Sequence, residues 1–280
     1  MTGEGIAERD YHELCALIQA ECGIVFNAAK RTMVESRLQR RARALGLGSL
    51  TDYCGYLRNR EGRERETPYL VDAVTTHKTD FYREPAHFEC LAGHVLPELT
   101  AAGAGTRRPL EAWSAACSTG EEPYTIAMAL SEYARREGFS LRCRVTGSDI
   151  SLPVLETARA AVYSEAAVAP LPGEFRRYLL RHRDRSRGLV RIAPEIRAMV
   201  GFRQVNLMES EYGFGEPLDL VFCRNVMIYF TRPTQAAVLE RISATLRTGG
   251  YLLLGHSESL CGLDLPLKQV SATVYRRTHA

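Results

Sequence analysis

Through about residue 75 the apolar positions recur every three or four residues, the rhythm of helices packed on one face. Leu14, Leu17 and Ile18 stripe the segment YHELCALIQA, which stops at Gly23. Val34, Leu38, Ala42 and Leu45 share one face of a helix predicted over 30–45, and Arg37, Arg40 and Arg43 form a ridge on its far side. After Gly46 and Gly48, the run Ser49-Leu50-Thr51-Asp52 starts a further helix through Tyr53, Tyr56 and Leu57. The stretch RNREGRERE, 58–66, is mixed charge around a glycine and predicts an exposed turn. Residues 68–84 pass from an apolar helix into a polar segment without period. There, Phe81 and Tyr82 lie among His77, Thr79 and Arg83, which predicts a linker whose side chains pack and are used. One more helix is expected over 86–101.

Beyond residue 108 strands alternate with helices. EAWSAACSTGEEPY, 111–124, opens as an apolar strand, breaks at Ser118-Thr119-Gly120 and restarts as a helix. That helix has Glu121, Glu122 and Pro123 in its first turn, Arg135 and Arg136 near its end and Gly138 past it, which is acid-first, base-last punctuation. Strands are expected over 141–150, with Asp149 at its carboxyl end, and over 201–207 and 218–226. A Thr231-capped helix carrying Val238, Leu239, Ile242 and Leu246 is expected to stop at Gly249-Gly250, followed by strands 251–254 and 267–276. The alternation predicts a mostly parallel sheet covered on both faces, with ligands at the carboxyl ends of its strands. Residues 162–200 interrupt it with a short helix (Phe175, Tyr178, Leu179), an HRDRSR loop and a strand at 189–192. They predict a small insertion, a β-hairpin on the ligand-binding side. The expected division is a helical domain over 1–75, a linker and leading helix over 76–108, and an α/β domain over 109–280 with its insertion at about 162–200.

Composition narrows this picture in a few places. With 280 residues, 45% of them hydrophobic, the chain can bury a full core. No apolar run approaches the ~20 residues of a bilayer span. The amino terminus, MTGEGIAERDYHEL, has no basic start before an apolar stretch, so neither membrane insertion nor a signal peptide is expected. The 8 cysteines are scattered without a C-x-x-C pair or a histidine at ligand spacing; they read as free thiols in a reducing cytosol, with no metal site. A net charge of +3 is too slight to mark a nucleic-acid binder. Its distribution says more: 30–43 holds six bases against one acid, and 174–203 holds nine arginines against three acids. Two local positive patches on a nearly neutral chain suggest docking to something acidic. A solvated face is the plain alternative, although such faces usually alternate Glu with Lys at i,i+4 and here Glu35 is the lone acid.

The turn at 118–120 lets a ligand lie against bare backbone at a helix start. Glu122 puts negative charge there, no lysine is present to hold a phosphate, and neither G-x-G-x-x-G nor G-x-x-x-x-G-K-[ST] occurs at this turn. A cationic ligand without phosphates suits it better than a dinucleotide, against the alternative of an ordinary strand–helix corner. Asp149, closing the second strand, can accept both hydroxyls of a ribose. Asn206 can bond an adenine edge while Leu207 packs against its face. Glu122 and Arg83 can serve the ammonium and carboxylate of an amino-acid tail. Taken singly, each has a capping or turn role as its alternative. Together they describe S-adenosylmethionine.

T-x-x-T-x-x-x-R within 75–83, WSAACSTGEEPYTIAM at 113–128, SDI at 148–150, NL at 206–207, CRNVMIYF at 223–230 and GHSE at 255–258 closely resemble the chemotaxis receptor methyltransferase (CheR) family. The likeness runs in order along nearly the whole chain, including KRTMVESRLQRRARALGL near its start. It implies a class I, Rossmann-like methyltransferase sheet, a helical amino-terminal domain and a small β-subdomain. It also implies methyl transfer from S-adenosylmethionine, leaving S-adenosylhomocysteine, to glutamate γ-carboxylates on the cytoplasmic helical bundle of methyl-accepting chemoreceptors. The enzyme would then work in the cytoplasm at receptor arrays. Cofactor contacts carry over to His77, Thr79, Arg83, Glu122, Asp149, Asn206, Leu207, Arg224 and Asn225. Receptor docking falls to Arg37, Arg40 and Arg43. His77 departs from the family, which usually has Asn there, and a single imidazole donor would make that contact pH-sensitive. In some members the β-subdomain also grips a tethering peptide at the receptor's carboxyl end; here the loop is arginine-rich where those members tend to have glycine, and tethering stays open.

Such a reaction needs no general base, because a glutamate (reference pKa about 4.3) is already ionised at neutral pH. Positioning and exclusion of water are what the chain must supply, with Arg83 and Tyr229 as candidates to orient the incoming carboxylate. Cys117 and Cys223 have no base partner and read as inert. A nucleic-acid methyltransferase would share the sheet, but Arg224-Asn225-Val226-Met227 replaces the Pro-Pro-aromatic signature of amino-group methylation. A cofactor-binding regulator without catalysis is the third reading.

Overall fold

The computed structural model describes residues 6–279; residues 1–5, the start of the segment scanned for a signal peptide, lie outside the described residues. The chain divides into two compact units. The first comprises residues up to 76 together with 206–208 and 229–235, and the second comprises the rest.

Among the described residues up to 76, the first unit has four α-helices: α1 (Glu8–Cys22), α2 (Arg31–Ala44), α3 (Leu50–Arg58) and α4 (Arg60–Val74). Leu14, Ile18, Val34, Leu38, Tyr53, Leu57, Leu70 and Val74 are buried, so the predicted apolar faces do meet a core. The exposed turn expected at 58–66 is instead the start of α4. Asn59 caps it, accepting a hydrogen bond from the Glu61 N–H at 2.9 Å, and Arg60–Glu64 and Glu61–Arg65 pair one turn apart. Gly62, read as a breaker, is there for close approach: a Cβ would stand 2.4 Å from the Tyr56 carbonyl. Glu66 is buried, and the Arg41 guanidinium and the Tyr53 hydroxyl donate to it.

The second unit is organised by a seven-stranded sheet. Its strands are β1 (Leu110–Ala115), β2 (Cys143–Asp149), β6 (Val200–Gln204), β7 (Leu218–Cys223), β8 (Leu246–Leu254), β9 (Leu267–Ser271) and β10 (Val274–Arg277), in the spatial order β6-β2-β1-β7-β8-β10-β9. The pairs from β6 to β8 are parallel, and β10 joins antiparallel to both β8 and β9. Strand order reverses at β1, which lies between β2 and β7, and open parallel sheets bind ligands at such a reversal. The register fixes the level of the loops there: Ala115 stands opposite both Ser148 and Cys223, so the chain leaves all three strands at one height.

Every residue of β7 is buried, including Asp219, whose carboxylate is met by Arg108 in a two-pronged pair at 2.5 and 2.7 Å and by the Glu111 N–H. Helix α7 (Glu121–Glu137) begins after Gly120 at φ 96° and ends before Gly138 at φ 73°. A Cβ on Gly120 would press on Ala158 and the Tyr163 hydroxyl, so only glycine both adopts this backbone and fits.

Several elements differ from the sequence reading. The helix expected over 86–101 is α5 (Pro85–Cys90) and α6 (Leu96–Ala101) joined by a π-turn at Leu91–Val95. Helix α10 (Arg232–Thr245) stops before Leu246, and β8 runs back through Gly249 (φ 81°) and Gly250, with the irregular register of a bulge. The strand expected at 267–276 is a hairpin, β9 and β10, turning at Thr273 with φ 55°. Within 162–200 the chain forms a three-stranded antiparallel sheet, in the order β3 (Val162–Ser164), β5 (Leu189–Ile192), β4 (Leu179–Arg181). The short helix expected there is a 3₁₀ helix at Gly173–Tyr178, and Leu179, expected to close it, opens β4.

Candidate cofactor and catalytic site

The loops leaving β1, β2 and β7 carry a corner of buried polar groups. Between β1 and α7 the backbone takes positive φ at alternate positions: Ala116 (56°), Ser118 (50°) and Gly120 (96°). Tyr82 (54°), Glu84 (59°) and Asn225 (59°) are also left-handed. Each such non-glycine residue costs roughly 1–2 kcal/mol, and strain of this kind concentrates where function over-determines the chain.

Asp149 closes β2 and is 6% exposed. Its two oxygens accept from the Ser118 N–H at 2.8 Å and the Ser151 N–H at 3.1 Å, so the acid also holds the β1–α7 turn in shape. Burial pushes its carboxyl above the ordinary aspartate value, and those two N–H groups and nearby His77 oppose the rise. His77 also packs by its backbone, its carbonyl accepting from the Ser118 hydroxyl at 2.8 Å.

Glu122, in the first turn of α7, is gripped from two sides. The Ser114 hydroxyl donates to Oε1 and the Arg224 Nε to Oε2, both at 2.7 Å. The Arg224 side chain is 2% exposed; its Nη1 donates to the Arg83 carbonyl at 2.7 Å and lies 3.0 Å from His87 Nδ1. The Arg83 guanidinium donates to the Lys78 carbonyl at 3.1 Å. Thr79 is half-buried in the same segment, which Phe81 anchors edge-on against Tyr163 at 4.8 Å. Asn225 reaches Glu84 through its side-chain amide at 3.3 Å.

Asn206, Leu207 and Tyr229 belong to the compact unit of the amino-terminal helices. Asn206 donates to the Glu21 carbonyl and accepts from the Met208 N–H, and Leu207 is buried. The Tyr229 carbonyl accepts from the Val25 N–H at 3.0 Å, and the Lys30 ammonium lies 5.3 Å from its ring centre.

On α2 the predicted ridge is not uniform. Arg40 and Arg43 are exposed, whereas Arg37 is half-buried and donates to the Val74 and Thr75 carbonyls at 3.0 and 2.7 Å, closing the end of α4. Arg31 and Arg41, counted in the same basic run, are committed to Glu8 and Glu35 and to Glu66.

Three residues of the corner escaped the sequence reading: Glu84, His87 and Glu258. Glu258 is 5% exposed and accepts from the backbone N–H groups of Asn225, Met227 and Gly255 at 2.9, 2.8 and 2.6 Å, which fixes the loop after β7. It lies in the GHSE motif, so a signal was present without a role attached. Cys117 and Cys223 are buried, and burial pushes their thiols well above the ordinary range.

The turn has buried acids beside it and neither a lysine nor a phosphate-binding pattern, so it lacks the usual partners of a nucleotide's phosphates. The only nitrogen of the Arg224 guanidinium without a protein acceptor among the described residues is Nη2, which leaves a donor for a ligand. Residues 77–276 match the family described as CheR methyltransferase, SAM binding domain, and residues 9–75 the one described as CheR methyltransferase, all-alpha domain. S-adenosylmethionine is therefore the cofactor. The chain is 39% identical over 267 residues to chemotaxis protein methyltransferase 2 of Pseudomonas aeruginosa, covering 95% of this chain and 92% of that one. It is 38% identical to the chemotaxis protein methyltransferase of Klebsiella aerogenes, covering 98% and 91%, and 38% identical to chemotaxis protein methyltransferase 1 of Vibrio cholerae, covering 94% of each. The sheet, its acid-lined corner and these likenesses along the full length place the chain in the CheR family of S-adenosylmethionine-dependent methyltransferases.

Proposed function

We propose that this methyltransferase esterifies glutamate side chains of bacterial chemoreceptors and so tunes chemosensory adaptation. The observation that carries the reading is the likeness to chemotaxis methyltransferases over more than nine-tenths of both chains. In this reading Asp149 receives the ribose hydroxyls, Asn206 and Leu207 receive the adenine, and Glu122 and Arg83 receive the amino-acid tail. His77, Thr79, Arg224 and Asn225 complete the contacts. When bound, the cofactor supplies a methyl group on a positively charged sulfur. The chain's work is then to present a carboxylate in line and to keep water away, and Arg83 and Tyr229 are the groups proposed to orient it. Arg40 and Arg43 on α2 are proposed to meet the acidic receptor surface, with Arg37 supporting that helix from behind.

Incubating the protein with methyl-labelled S-adenosylmethionine and receptor-bearing membranes tests this. Label on receptor protein that is released as methanol by mild base is the expected result; label on RNA, or none on either, contradicts it. Adding a peptide from the receptor's carboxyl end as competitor decides whether the β3-β5-β4 sheet also tethers the receptor. A fall in receptor methylation means that it does, and an unchanged rate means that it does not.

A further inference from the structure

Glu84, His87 and His256 bring three potential ligand atoms within 4.8 Å of one another beside the corner. A metal ion is not what this cluster is built to hold. The Arg224 guanidinium, permanently charged, already lies against two of its three members, 3.0 Å from His87 Nδ1 and 3.4 Å from Glu84 Oε2. The His87 tautomer follows from its other side. Nε2 lies 2.7 Å from the Thr273 hydroxyl oxygen, and that hydroxyl donates its own proton to the Ala272 carbonyl at 2.8 Å. With that hydroxyl's proton on Ala272, Thr273 accepts from His87 and Nε2 carries the proton; Nδ1 then accepts from the Arg224 guanidinium, which can only donate, and lies 3.2 Å from the Glu84 carboxylate.

We propose that His87 is a positioning residue: a neutral imidazole, locked in the Nε2–H form by Thr273, that accepts from Arg224 and so holds the guanidinium that binds both Glu122 and the Arg83 carbonyl. One arginine thereby ties the acid assigned to the cofactor to the backbone of the residue assigned to the substrate, and His87 sets its orientation. The groups facing the imidazole are Arg224 from the loop after β7, Glu84 from the start of α5 and His256 from the loop after β8, stacked at 5.2 Å. The side chain is 2% exposed, so a second cation there would meet Arg224 without water between them. In agreement, burial first and Arg224 second push the imidazole down to about 4.

The inference rests on reading Glu122 as a cofactor contact, so Glu122→Gln is the control. Calorimetry with S-adenosylhomocysteine on the full chain is expected to show His87→Leu weakened by about tenfold or more, while His87→Asn, whose amide oxygen can replace Nδ1 as acceptor, stays within about threefold of wild type. Weak binding by Glu122→Gln with wild-type binding by His87→Leu overturns the inference alone, as does His87→Asn as weak as His87→Leu. Wild-type binding by Glu122→Gln removes the underlying reading and the inference with it. Should His87→Leu not fold, nitrogen-15 NMR of the wild-type imidazole decides. An Nε2–H tautomer that stays neutral down to about pH 5 is expected, and a charged ring near neutrality or an Nδ1–H tautomer overturns the proposal.

Discussion

His87 makes a thermodynamic prediction independent of catalysis. Its pKa is depressed from 6.5 to about 4 in the folded protein, so between those values the unfolded chain binds a proton that the native one refuses. The stabilising effect of keeping this histidine neutral is complete above about pH 6.5 and is lost as pH falls toward 4, by on the order of 3 kcal/mol. Urea titrations across that range should show wild-type stability falling with acid, and His87→Asn should lack this component; equal slopes would contradict the buried neutral ring. Single residues were legible where an acid is rare: Asp149 stands out as one closing a buried strand, and Glu122 as one opening a buried helix. Glu84 and Glu258 did not, because an acid in a loop looks solvated until the N–H groups around it are known.

At the scale of elements, α4 shows how composition misleads. Nine residues of mixed charge around a glycine look like a turn, yet the charges pair at i,i+4 and Gly62 admits the Tyr56 carbonyl. Gly62→Ala should therefore destabilise the protein despite alanine's better helix propensity, by about 1 kcal/mol or more in urea unfolding, and a stabilised variant would contradict the packing account. Helix α2 offers a separation of roles along one face. Arg40→Glu should leave cofactor affinity and stability unchanged and sharply lower receptor methylation, more so at low salt. Arg37→Ala should lower stability by about 1 kcal/mol through the lost carbonyl partners at the end of α4. Full receptor turnover by Arg40→Glu at low salt would remove the docking role. The π-turn at Leu91–Val95 and the early start of β8 left no trace in the hydrophobic rhythm, because neither changes which positions are apolar.

At the scale of the molecule, the alternation of buried strands and amphipathic helices suffices for the parallel sheet, while the β1 switch point and common strand height come from pairing between segments far apart in sequence. Those pairings convert scattered motifs into one corner: the Asp149 carboxylate fixes the Ser118 turn, and Arg224 fixes Glu122. No helix of the described residues is long and apolar enough to cross a membrane. If this corner binds S-adenosylmethionine through its buried acids, Asp149 should matter to its affinity. Calorimetric titration of the full chain with S-adenosylhomocysteine, wild type against Asp149→Ala, decides this. A saturable wild-type isotherm, with affinity reduced by about 1–3 kcal/mol in the variant, is predicted. A wild-type protein without affinity, or a variant that binds as tightly as wild type, would contradict it.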